Sequence, residues 1–142
     1  MSRTSIIPDG VHAPAGAYSH GVVTHGPGET LYISGQVGVD QSGRSLESFS
    51  AQAEQCWRNL VAILKAAGMC SHDLVKVTTF LTRAEDAVEL GRIRAPFLDG
   101  ARPASTLVTV PGLVKPEWLI EVEAIAFKSV SSSVDEAQRA CS

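Results

Sequence analysis

Between Trp118 and Phe127 the chain reads Trp-Leu-Ile-Glu-Val-Glu-Ala-Ile-Ala-Phe, a run suited to pleated backbone. Period-two geometry puts Ile120, Val122 and Ala124 on one face and Glu121, Glu123 and Ile125 on the other. A strand with one wholly apolar face needs a hydrophobic layer against it, so the fold must contain a sheet and something that covers it. The two acids stand where a buried strand would carry apolar residues, which makes them the first candidates for chemistry.

The covering layer is legible upstream. From Leu46 to Ala67, Phe49, Ala53, Trp57, Leu60, Val61 and Leu64 recur at spacings of three and four, the signature of one helical face. Ser45 or Ser48 is positioned to cap its start, and Gly68 to end it in a left-handed conformation. Leu74 to Thr82, rich in Val, Thr and Phe, predicts a central strand. A second helix is expected over about Ala84 to Leu98 with Ala87, Val88, Gly91 and Phe97 inward, its last turn distorted by Pro96.

The stretch to Gly16 is broken by Pro8, Gly10, Pro14 and Gly16 and reads as a surface arm. Gly21 to His25 and Thr30 to Ser34 predict a hairpin around Gly26-Pro27-Gly28, with a bulge or tight bend near Gly35 and Gly38. Thr106 to Val110 and Trp118 to Lys128 predict two further strands joined by a hairpin-like return. Beyond Phe127 the chain turns polar, as a frayed tail or a short helix from Val134 to Ala140. The order strand, strand, helix, strand, helix, strand, strand fits an α+β domain, one mixed sheet covered on one face by two helices. Its other face would still carry apolar side chains, which predicts an oligomer.

The 142 residues, 44% of them hydrophobic, suffice for one core, and a single domain over 1–142 is the default. A net charge of −3 without a run of Lys or Arg gives no reason to expect binding to nucleic acid or an anionic membrane. With no long apolar stretch, a cytoplasmic protein acting on a small ligand is expected. There is no P-loop, GxGxxG, HExxH or GxSxG pattern, and the three cysteines have no CxxC spacing. No metal site is expected; Cys56 reads as core, and His20, beside Tyr18, is the histidine to watch.

Two carboxylates on one strand face suit general acid/base work if partly buried. Equally, they can be solvated, or paired with Lys and Arg across an interface. Arg102 has the same two readings: an anchor for a ligand carboxylate, or a cover for the end of the second helix.

Five segments together resemble a known family: Tyr18 after Gly16-Ala17, Tyr32-Ile33-Ser34-Gly35-Gln36, Val75-Lys76-Val77-Thr78-Thr79-Phe80-Leu81, Arg102-Pro103-Ala104-Ser105-Thr106, and Ile120 to Ala126. In that order they look like the Rid (YjgF-like) family, over about residues 7–127 with a polar tail at 129–142. The resemblance implies a chorismate-mutase-like fold and a homotrimer around a central barrel, with clefts between subunits. It also implies hydrolysis of reactive enamines and imines to 2-oxo acids and ammonia without metal or organic cofactor. Tyr18 matches the family's cleft tyrosine, Ser34 the serine of its SGQ block, and Glu121 the carboxylate that positions the attacking water.

This chain departs from the family pattern at three places. Ser105 falls where active members carry the carboxylate-holding arginine, Leu107 where a cysteine is usual, and Gly91 where an asparagine is common. Ser105, expected to face Glu121, offers one neutral hydrogen bond in place of a bidentate contact worth on the order of 1.5–3 kcal/mol. Arg102, Arg92 or Arg94 would have to reach the cleft instead. The resemblance thus leaves a deaminase of altered substrate preference, or a non-catalytic trimer that binds a small metabolite. A ribonuclease role, also attached to relatives, suits an acidic chain without a stacking platform less well.

Overall fold

The computed structural model describes residues 3–130. The tail or helix expected over 134–140 lies outside the described residues. The order of elements is β1 (Arg3–Ile6), β2 (Gly21–Thr24), β3 (Gly28–Val37), α1 (Phe49–Ala66), β4 (Leu74–Leu81), α2 (Ala87–Leu98), β5 (Ala104–Thr109) and β6 (Ile120–Ser129), with short 3₁₀ turns before β4 and α2.

Helix α1 begins and ends as its sequence dictates. Ser48 accepts a hydrogen bond from the Ala51 N–H at 3.1 Å, satisfying a donor the first turn leaves open. At the other end Gly68 adopts φ 72°, and the Gly68 and Met69 N–H groups turn back to the Lys65 and Leu64 carbonyls, a Schellman closure. Phe49, Ala53, Cys56, Trp57, Leu60 and Leu64 are buried against the sheet.

The main sheet has the order β3-β6-β4-β5, antiparallel except for the parallel pair β4/β5, which α2 connects. β4 is an interior strand, as predicted, and β6 lies between it and β3. Ile33, Val77, Leu81, Ile120, Val122, Ala124 and Ala126 form the buried face under the helices, together with Leu90 and Leu98 of α2. Each large side chain here contributes roughly 1.5–3 kcal/mol by leaving water. Among the described residues, no helix is long and apolar enough to cross a membrane.

Three expectations are corrected. Arg3–Ile6 of the arm is a strand, pairing β2 antiparallel in a separate two-stranded sheet. The Arg3 guanidinium, donating to the His72 and Leu74 carbonyls, ties it to the start of β4. Neither hairpin forms: β2 pairs with β1 rather than β3, and β5 with β4 rather than β6. The more regularly alternating β6 takes the interior place and leaves β5 at the edge. In α2, Val88 is 78% exposed and Gly91 is exposed, whereas Leu90 and Leu98 are buried and Arg94 stands between them on the same stripe.

The opposite face of the main sheet has no covering layer in one chain. It carries Glu121, Glu123, Ile125 and Phe127 from β6, Thr78 and Phe80 from β4, and Tyr32, 75% exposed, from β3.

Candidate functional site

Glu121 owes its position to a bulge in the neighbouring strand. The β3/β6 register runs Ile33 to Ala124 and then Gln36 to Val122, so Ser34 and Gly35 together oppose Glu123 alone. The bulge brings Gly35 beneath the Glu121 carboxylate: a Cβ there would overlap Oε2 outright and lie 2.8 Å from Cδ. Only a residue without a side chain allows that approach. Along its row Glu121 is flanked by Val37 on β3 and Phe80 on β4. It is half-buried and makes no hydrogen bond or ion pair among the described residues.

The start of β6 is held by Gln52, a fully buried side chain of α1. Its amide donates to the Leu46 carbonyl at 2.9 Å and the Glu117 carbonyl at 2.9 Å, and accepts from the Leu119 N–H at 2.8 Å. Gly38 gives it room, since a Cβ there would stand 2.5 Å from the Gln52 Cα. The Trp118 indole N–H, donating to Ser45 Oγ at 3.0 Å, adds a second tie. Glu121 is thus fixed two residues beyond a segment anchored to α1.

A second group forms at the β5 edge. Ser19 bridges Ala104 in parallel, its N–H donating to the Pro103 carbonyl at 3.1 Å and its hydroxyl to the Arg102 carbonyl at 2.6 Å. That lays Ala17-Tyr18-Ser19 along the start of β5. Tyr18 meets His20 edge to face at 6.3 Å, and its Oη accepts from the Ala15 N–H at 3.4 Å. His20 Nε2 is 2.8 Å from the His12 carbonyl. Arg102 is exposed, and its guanidinium donates to the Gly16 carbonyl at 3.4 Å.

Ser105 pairs with Val77, a residue of the helix-covered face, whereas Glu121 pairs with Phe80 on the open face. Directly paired residues share a face, so Ser105 and Glu121 of one chain lie on opposite sides of the sheet and do not meet. The expected residues therefore fall into two sets: Glu121 with Ser34 on the neighbouring bulge, opposite Glu123, and Tyr18 with Ser105 and Arg102 at the β5 edge.

Of Arg92, Arg94 and Arg102, Arg94 is the one whose side chain packs with Ser105. Ala17, Trp57, Val77, Arg94, Leu98, Pro103 and Ser105 meet in a tightly packed crevice with no room for a water molecule. Burial pushes the Arg94 guanidinium below the usual arginine range. The signal was available: Arg94 lies four residues from both Leu90 and Leu98.

Cys56 is buried against the Gln36 carbonyl at 3.3 Å, as its place in the helical pattern predicts. Burial, with the nearby Glu121 charge adding to it, pushes its thiol up to about 12, so it is no nucleophile at neutral pH. Among the described residues no three His, Cys, Asp or Glu side chains gather to hold a metal ion.

Residues 10–128 match the family model described as endoribonuclease L-PSP. The chain is 35% identical over 117 residues to RutC family protein PH0854 of Pyrococcus horikoshii, covering 81% of this chain and 90% of that protein. It is 38% identical over 118 residues to the 2-iminobutanoate/2-iminopropanoate deaminase of Rattus norvegicus, covering 80% and 83%. The crystal structure of the Rid-family protein YyfB from Yersinia pestis superposes with a TM-score of 0.78 at 34% identity, covering 89% and 98%.

Proposed function

Since the chain belongs to the Rid (YjgF-like) family, we propose that it is a hydrolytic deaminase of small reactive imines and enamines, with a substrate preference altered at Ser105. The observation that carries this reading is Glu121: a half-buried carboxylate seated over a bulge glycine and committed to no partner among the described residues. A relative at 38% identity named as a 2-iminobutanoate/2-iminopropanoate deaminase supports the reaction class.

Glu121 takes a proton from a water molecule as it adds to the imine carbon, and the proton passes to the nitrogen of the resulting carbinolamine. The carbinolamine's hydroxyl proton is then moved to the same nitrogen as the C–N bond breaks and the C=O bond forms, releasing ammonia and leaving a carbonyl product. A positioned base of this kind contributes about 10²- to 10⁴-fold. Its neighbours along the row, Val37 and Phe80, are apolar, which suits a small substrate.

The reading includes a homotrimer whose clefts join the Glu121 face of one copy to the Ser105 edge of another. The opposite-face placement of these residues in one chain supports it, as does the uncovered Tyr32, Phe80, Ile125 and Phe127. The test is the rate of ammonia release from freshly generated imines. The protein should raise it and Glu121→Gln should lower it by about 10²-fold or more; a rate the parent protein leaves unchanged over a varied panel overturns the reading. The serine in place of the family arginine favours a second reading, a non-catalytic metabolite-binding trimer, in which ligands bind and that rate stays flat.

A further inference from the structure

Two of the chain's three cysteines meet different fates in the fold. Cys56 is a free thiol buried under α1, whereas Cys70 stands in a disulfide. Cys70 lies half-buried in the turn that joins α1 to β4. With Cys56 free, the sequence leaves it one partner within the chain, Cys141.

The turn is a fixed platform. The Cys70 N–H donates to Asp73 Oδ2 at 2.9 Å, and the Asp73 N–H donates to the Cys70 carbonyl at 2.9 Å. Ser71 Oγ, donating to the Phe97 carbonyl at 2.6 Å, ties the turn to α2, and the Arg3 guanidinium, donating to the His72 and Leu74 carbonyls, ties it to β1. The end of β6 arrives at the same place. Ala126 pairs with Leu74, and Lys128 Nζ donates to the Gly68 carbonyl at 2.8 Å, two residues from Cys70. From Val130 to Cys141 there are 11 residue steps, enough to span up to roughly 36 Å. A chain that leaves the sheet beside Gly68 therefore has ample length to bring Cys141 back to Cys70.

We propose that Cys70 and Cys141 form a reversible disulfide that clasps the C-terminal segment to the turn between α1 and β4, closed under oxidising conditions and open under reducing ones. A low-molecular-weight disulfide closes it in two exchanges. The thiolate of one cysteine attacks the oxidant, forming a mixed disulfide and expelling one small thiol; the thiolate of the other attacks the protein-side sulfur and expels the second. Two electrons pass to the oxidant, and the two protons given up by the cysteines end on the two released thiols. In the unfolded chain the bond closes a ring of about 70 residues. The fold has already brought Lys128 to Gly68, so the ring left to close there is about a dozen residues, and the bond costs the unfolded chain more entropy than the folded one. The closed form should melt about 5 °C above the open one. The clasp does not depend on the deaminase reading.

The test is peptide mapping of the full chain by mass spectrometry without reduction, after incubation with oxidised glutathione and, in parallel, with dithiothreitol. Trypsin cuts after Lys65, Lys76 and Arg139, which places Cys70 in residues 66–76, Cys141 in the peptide beginning at Ala140, and Cys56 in residues 45–58. The oxidised sample should give the first two of these peptides linked to each other, in protein that runs as single chains on a denaturing, non-reducing gel. The reduced sample should give the same two peptides separate and alkylated. At fixed protein concentration the oxidised parent should melt about 5 °C above the reduced parent, and Cys141→Ser should melt alike in both solutions. A Cys70 link to Cys56 or to a second copy, Cys70 recovered only as a free thiol or as its mixed disulfide with glutathione after oxidation, or a Tm of the parent no more sensitive to oxidation than that of Cys141→Ser overturns the proposal. The mapping uses the parent alone and decides even if the variant does not fold.

Discussion

Gln52→Met isolates the tie that positions β6. Methionine nearly reproduces the glutamine's length and volume and keeps its apolar contacts, but it neither donates nor accepts as the amide does. Three hydrogen bonds of 2.8–2.9 Å disappear, to the Leu46 carbonyl, the Glu117 carbonyl and the Leu119 N–H. At about 1 kcal/mol net each, the cost is about 3 kcal/mol, more if the abandoned groups stay dry. For a chain of this size that lowers Tm by about 10 °C. Gln52→Glu should be worse, because one carboxylate oxygen keeps the Leu119 N–H while the other faces two carbonyls. Gln55→Met serves as control: its amide makes one hydrogen bond, to Asn59 at 2.8 Å, and should cost under about 1 kcal/mol. Urea unfolding at fixed protein concentration reads all three. If Gln52→Met loses less than about 1 kcal/mol at unchanged m-value, the buried amide is not what holds the start of β6, and the account of how Glu121 is positioned fails.

Gly35→Ala should cut the rate of ammonia release about a hundredfold with little change in Tm, because the new methyl displaces the end of the Glu121 side chain by about 1 Å; equal activity would mean that the seat over Gly35 is immaterial. Ser48→Ala removes the cap on the Ala51 N–H and should cost about 1 kcal/mol in urea unfolding. Cys56 should resist alkylation at pH 8 in the native protein and react once unfolded, as peptide mapping by mass spectrometry reports. Its thiol, held up to about 12 when folded against an ordinary value of 9.0, keeps a proton the unfolded chain loses, so its contribution to stability is complete below about pH 9 and falls away between pH 9 and about 12.

Much of the fold was written in local pattern. The three-and-four spacing of Phe49 to Leu64, the Ser48 cap and the Gly68 stop set out α1, and the alternation through Ile120 to Ala126 assigned each residue of β6 to its face. Even the bulge at Gly35 was announced by its glycine. These features concern residues within a turn or a few positions of one another, where backbone propensity and side-chain period act directly.

Strand partners were not legible in this way, since one edge of a β-prone run resembles another and pairing is settled by what the rest of the chain buries. Gly21–Thr24 therefore went to β1 and not to β3. The phase of α2 was misread for a related reason: Ala87 and Val88 are apolar like Leu90, and only packing against the rest of the chain decides which stripe turns inward. That decision carried Arg94 into the crevice beside Ser105. Alternation marked Glu121 and Glu123 alike as carboxylates on a mostly apolar strand, and the family resemblance set Glu121 apart. The place of Glu121 over Gly35, its separation from Ser105 by the thickness of the sheet, and the Arg94 guanidinium on the far side follow from register and crossing of elements distant in the chain, and only the tertiary structure brings those together.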